Sequence, residues 1–127
     1  MHRVVDAMNV IGSRPDGWWR DRRGAVERLI AQLERWAEGT GERVTVVLEA
    51  PPSPPLHSER VVIAWAPRAA PNSADAEIVR RLDGWLNEDG EVTVVTSDRD
   101  LADRARARGA AVEPAAAFRR RLEQAGA

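Results

Sequence analysis

The sequence predicts an α/β fold, a three-layer α/β/α doubly wound domain on a mostly parallel sheet of about five strands. Two observations carry this. Short runs rich in β-branched residues recur along the chain, and amphipathic helical patterns lie between them. The expected strands are residues 3–6, 44–48, 60–65 and 92–96, with a weaker one at 110–112. Val26, Leu29, Ile30, Leu33 and Trp36 follow the helical period, as do Ile78, Val79, Leu82, Trp85 and Leu86. Gly39 and Gly41 are expected to stop the first of these helices, and Gly90 follows the second. A shorter helix is expected from about Asp100 to near Gly109, and a last one carries Phe118 and Leu122 one turn apart. The run PPSPP cannot be helical and reads as an extended surface connection between the second and third strands, either a linker or a substrate-facing loop.

The 127 residues suit one domain spanning 1–127. There is no cysteine, which excludes a disulfide framework, a thiolate nucleophile and Cys-based zinc, and fits a reducing, cytoplasmic setting. The N-terminal segment MHRVVDAMNV is interrupted by Asp6 and Asn9 too early for a secretory signal, and no apolar run approaches the ~20 residues of a membrane span. The expectation is a mature chain without a membrane partner. Net charge is -1, so any nucleic-acid surface must come from local grouping of charge. All 19 basic residues are arginine, a usage that fits a GC-rich genome and also suits phosphate contact.

In a parallel α/β domain ligands bind beyond the C-terminal ends of the strands. Asp6 closes the first expected strand, Glu49 the second, and Asp98 and Asp100 follow the fourth in VVTSDRD. Asp75 precedes Ile78 by three residues, which puts it on the inward stripe of its helix, in the first turn. Helix capping explains some of these acids: Ser97 to Asp100 fits a capping box with Ser97 as the cap, and Asp75 suits a first turn. It does not explain Asp6, at the end of a core strand. Ionised carboxylates within ~4 to 6 Å repel by a few kcal/mol per pair at an effective dielectric of about 20, so a cation must compensate. No lysine is present, and a hard divalent ion, Mg²⁺ or Mn²⁺, is the expected cofactor. His2 and His57 are too scattered for a histidine zinc site. A phosphoacceptor signalling domain also gathers acids at strand ends, but it needs a lysine.

With Asp6, Asn9, Asp75, Asp98 and Asp100 in place, the chain resembles the NYN branch of the PIN-like ribonucleases, within it the bacterial YacP-like proteins. VVDAMNVIG, NSADAEIVRRL and VTVVTSDRDLADRARARGA carry the resemblance, in family order over nearly the whole chain. It implies a PIN-like sheet and metal-dependent endonucleolytic cleavage of single-stranded RNA. It implies metal ligation by Asp6, Asp75 and Asp98, with Asp100 assisting as a fourth catalytic acid, and Asn9 orienting substrate or a ligand carboxylate. Ser97, beside Asp98, is a further candidate for substrate contact. Relatives often carry an aspartate after the second strand, in a Phe-Asp-Gly type run, where this chain reads LEA; either Glu49 substitutes with a longer reach or that position is altered.

Arg14, Arg20, Arg22 and Arg23, with Trp18 and Trp19, follow Asn9 on what reads as the loop leaving the first strand. They make either a substrate-binding loop, with arginines on phosphates and tryptophans under bases, or tryptophans packed on a helix among solvated arginines. Trp36, Trp85 and Trp65 are expected in core or edge packing. A non-catalytic RNA-binding or scaffold module with the same fold is the alternative function, and homo-oligomerisation is left open.

Overall fold

The computed structural model describes residues 1–126, so Ala127 of the expected domain lies outside the described residues. The strands β1 (His2–Asp6), β2 (Arg43–Leu48), β3 (Val61–Trp65), β4 (Val92–Val95) and β5 (Ala111–Glu113) form a five-stranded sheet in the order β3-β2-β1-β4-β5. Every pairing is parallel, with Asp6 in register with Val47 and Val5 with both Val46 and Val95.

Burial explains the strand sequences. β1 is central and every residue of HRVVD is buried, because layers of helices cover both faces. Alternate residues serve opposite cores. Val5, Val44 and Val46 join the core under α2 (Arg22–Thr40) and α5 (Ala115–Ala125), whereas Val4, Val47 and Val94 join that under α3 (Ser73–Asp89) and α4 (Arg99–Ala107). The helical stripes read from the sequence enter these cores: Leu33, Phe118 and Leu122 on one face, Ile78 and Leu82 on the other.

Buried polar groups are paired. Arg3 is 5% exposed, donates to Glu42 at 2.8 Å and pairs with Glu113 at 2.5 Å, and its guanidinium lies 5.1 Å from the Phe118 ring. His2 bonds Asp89 and Thr45 at the opposite edge from the acids, and burial holds its pKa below the usual histidine value.

Several expectations are corrected. Residues Ala7–Ile11 form a helix, α1, directly after β1 where a loop was expected; five residues are too few to display a period. The loop beyond it contains one 3-10 turn, Trp18–Arg20. α2 runs through Gly39 and ends at Gly41, whose φ of 73° is the left-handed conformation expected of a C-terminal glycine. Asp98 rather than Ser97 caps α4, since its extended backbone lets its carboxylate accept the Leu101 amide at 2.8 Å. Trp65, expected in core or edge packing, takes the edge position, since β3 is an edge strand, and is 40% exposed. The proline-rich segment is more than a linker, for Leu56 packs against the α2 core and Arg23 donates to the carbonyls of Pro54 and Pro55. Strand ends otherwise shift by one residue. Among the described residues no helix is long and apolar enough to cross a membrane.

Candidate active site

The sheet reverses its winding at β1, with β2 on one side and β4 on the other, and the crevice of such a fold opens above that point. Asp6 is the last residue of β1 and is 2% exposed. Its carboxyl is within hydrogen-bonding reach of Asp75, which sits in the first turn of α3. The start of that helix is fixed to the sheet by Ser73, whose hydroxyl donates to the Glu49 carbonyl at 2.8 Å.

Burial pushes the Asp6 carboxyl up to about 8, and the hydrogen bond and charge of Asp75 add to the shift. Asp75 is raised too, by burial and then by the charges of Asp98 and Asp100, while the hydrogen bond from Asp6 holds it down. Both carboxyls therefore hold their protons more tightly than a free aspartate does. Asn9 faces both sides of this arrangement: its amide nitrogen donates to Asp6 at 3.1 Å and its oxygen accepts the Ser97 amide at 3.0 Å. It thereby ties the end of β1 to the loop after β4.

Asp75, Asp98 and Asp100 line an open depression of about 300 Å³, together with Asn72 and Arg104. Asp6 does not line it and meets the site through Asp75. Asp98 commits one carboxylate oxygen to the α4 cap, and its own amide donates to the buried Thr96 hydroxyl at 3.1 Å. The Asp100 side chain is 76% exposed and pairs with Arg104 at 3.1 Å. Among the described residues no three acids or histidines stand close enough to encircle an ion by themselves.

The other sequence-derived candidates are dispersed. Ser97 accepts the Ala115 amide at 2.9 Å and so joins the acid loop to the start of α5. Arg14 pairs with Glu123 on α5, Arg20 lies over Trp19 at 6.0 Å, and Arg22 lies over Trp18 at 5.2 Å while reaching Glu49 at 3.3 Å. Trp18 packs against the α2 core and Trp19 is half exposed, so the two readings of the loop divide between the tryptophans. Glu49 follows β2 rather than ending it, and does not join the other acids. Sequence reasoning missed Arg104 and Thr96. The spacing of four from Asp100 could have suggested Arg104 as an ion-pair partner, whereas nothing local marks Thr96.

An open parallel sheet with acids gathered at its winding reversal defines a doubly wound α/β domain with its site beyond the strand ends. The chain belongs to the YacP-like NYN domain family, whose model matches residues 3–127. Two solved structures resemble it over 99% of its length, each with a TM-score of 0.82: Rae1 (YacP) from Bacillus subtilis, at 25% identity over 75% of that chain, and a point variant of it, at 26% over 76%. No curated protein sequence matches the chain at a significant level.

Proposed function

We propose that the chain is a divalent-metal-dependent ribonuclease, acting endonucleolytically on single-stranded RNA in the cytoplasm. The carrying observation is the buried Asp6 with the half-buried Asp75 beside it, at the end of the central strand where two further acids add negative charge. Protons held by such carboxyls are exchangeable for a hard divalent cation. The donor set fits Mg²⁺ or Mn²⁺, for Mg²⁺ commonly takes one or two carboxylates, keeps several waters and completes its shell with substrate phosphate. A ready-made cage of three acids is therefore not required.

Asp6 and Asp75 would hold the ion, with Asp98 within electrostatic reach and Asp100 attracting it from the rim. Bound there, the metal supplies Lewis-acid stabilisation of the phosphate and lowers the pKa of a water. Asn9 keeps Asp6 aimed by donating to it, and through Ser97 it fixes the distance between the β1 and β4 ends of the site. Asp98 and Asp100 also repel the phosphate backbone, so RNA can approach only once their charge is offset.

The test is cleavage of single-stranded RNA by purified protein in Mn²⁺. Activity should vanish in EDTA and fall at least about a hundredfold in Asp6→Asn, the effect of losing several kcal/mol of metal-derived stabilisation. Equal rates for the two proteins would overturn the proposal. One observation favours a second reading, a non-catalytic RNA-binding module: the proton already relieves the repulsion, and among the described residues no trio of acids converges. Calorimetric titration separates the two, because such a module would take up no Mn²⁺ in a manner dependent on Asp6.

A further inference from the structure

At the same edge of the sheet as the acids lies a second recess of opposite chemistry. It holds about 220 Å³, and Met8, Val26, Leu48 and Leu56 give it largely apolar walls. Arg22, Arg23 and Glu49 stand around it. The volume is below the ~300–1,000 Å³ of pockets for drug-sized ligands and suits one flat heterocycle. Its far wall is the proline-rich segment, held by the hydrogen bonds from Arg23 to the Pro54 and Pro55 carbonyls.

The recess shares no wall with the acid depression but opens beside the end of β1. Met8 lies two residues beyond Asp6, and Glu49 lies two beyond Val47, the register partner of Asp6. At ~3.3 Å per strand residue and ~4.8 Å between strands, the Glu49 backbone is about 8 Å from that of Asp6. A polynucleotide held by a phosphate at the acid pair would pass the recess with a neighbouring nucleotide.

We infer that this recess is a nucleobase subsite for single-stranded RNA and that Glu49 makes it select guanine, an inference that rests on the ribonuclease reading. Apolar walls receive the faces of a base, while guanidinium groups at the rim suit the flanking phosphates. A glutamate carboxylate offers only acceptors. Guanine answers it with two parallel N–H donors on its Watson–Crick edge. Adenine, cytosine and uracil each set an acceptor beside a single donor, and that acceptor would face a carboxylate lone pair. The Arg22 and Glu49 pair does not block this, because at 3.3 Å with side chains 61% and 44% exposed it is a weak surface contact that a phosphate can displace.

The experiment is fluorescence anisotropy, in EDTA so that no RNA is cut, with labelled oligouridylates carrying one central guanosine, adenosine or abasic residue. The guanosine oligomer should bind at least about tenfold tighter than the others, as a bidentate contact predicts. Glu49→Gln should erase the preference for guanosine over adenosine, and Val26→Phe, which fills the recess, should reduce guanosine affinity to that of the abasic oligomer. Equal wild-type affinity for guanosine and abasic RNA, no binding of either, or a preference that survives both variants overturns the subsite. Cleavage in Mn²⁺, run in parallel on wild type and Asp6→Asn, keeps the two claims apart. Asp6-dependent cleavage without base preference leaves the ribonuclease and removes the subsite, whereas base preference without Asp6-dependent cleavage does the reverse.

Discussion

Asp6 is the residue on which charge, burial and position all bear. Its folded pKa, about 8, lies above that of an aspartate in the unfolded chain, so between roughly pH 4 and pH 8 the native state holds a proton that the unfolded state has lost. Native protein binds more protons in that window, and metal-free stability must fall as pH rises through it. Asp6→Asn removes the ionisation, and its melting temperature should exceed that of wild type by several degrees at pH 8 to 9 in EDTA, with the gap closing towards pH 4. A gap that does not depend on pH would show that Asp6 is not the titrating group. Mn²⁺ competes with the same proton, so its apparent affinity should rise with pH up to about 8 in a calorimetric series. Asn9 acts one step removed. Asn9→Ala should lower Mn²⁺ affinity or activity by about 10- to 100-fold, the usual cost of removing a partner of a metal-holding group.

The fourth helix gives Asp98 two separable duties. Its carboxylate caps α4, so Asp98→Ala should cost about 1 kcal/mol in denaturant unfolding. Asp98→Ser retains a capping oxygen and should restore that stability, yet it should not restore Mn²⁺ affinity if the negative charge is what the site needs. The same helix marks where sequence reading succeeds and fails. The acids at strand ends were legible because parallel topology sends every C-terminal strand end to one side, and the Asp75 position follows from a spacing of three to Ile78. The choice between Ser97 and Asp98 as cap was not legible, since both residue types suit the role and one residue of register decides it. α1 lacked enough residues to show a pattern. The dispersal of Arg14, Arg20, Arg22 and Arg23 was invisible because their partners, Glu123, Trp19, Glu49 and the proline carbonyls, are chosen by tertiary packing.

Across the whole molecule, stability rests on the two apolar layers rather than on surface ion pairs. Phe118 is fully buried, meets Trp36 edge-on at 5.2 Å and lies under the Arg3 guanidinium. Phe118→Ala should therefore cost roughly 3–5 kcal/mol in urea unfolding. Neutralising an exposed pair such as Arg108 with Asp83 should change stability by about 1 kcal/mol or less. The sheet order also governs when the site comes into being. β1 is made first but lies in the middle, and one of its two neighbours, β4, is separated from it by most of the chain. A nascent polypeptide that has emerged only through α3 would carry Asp6 and Asp75 while leaving one flank of β1 without hydrogen-bond partners. Asn9 would then lack the Ser97 amide it anchors to, and Asp98 would not yet have emerged. The carboxylate centre thus becomes whole only as the last third of the domain docks, and no partial translation product should possess it.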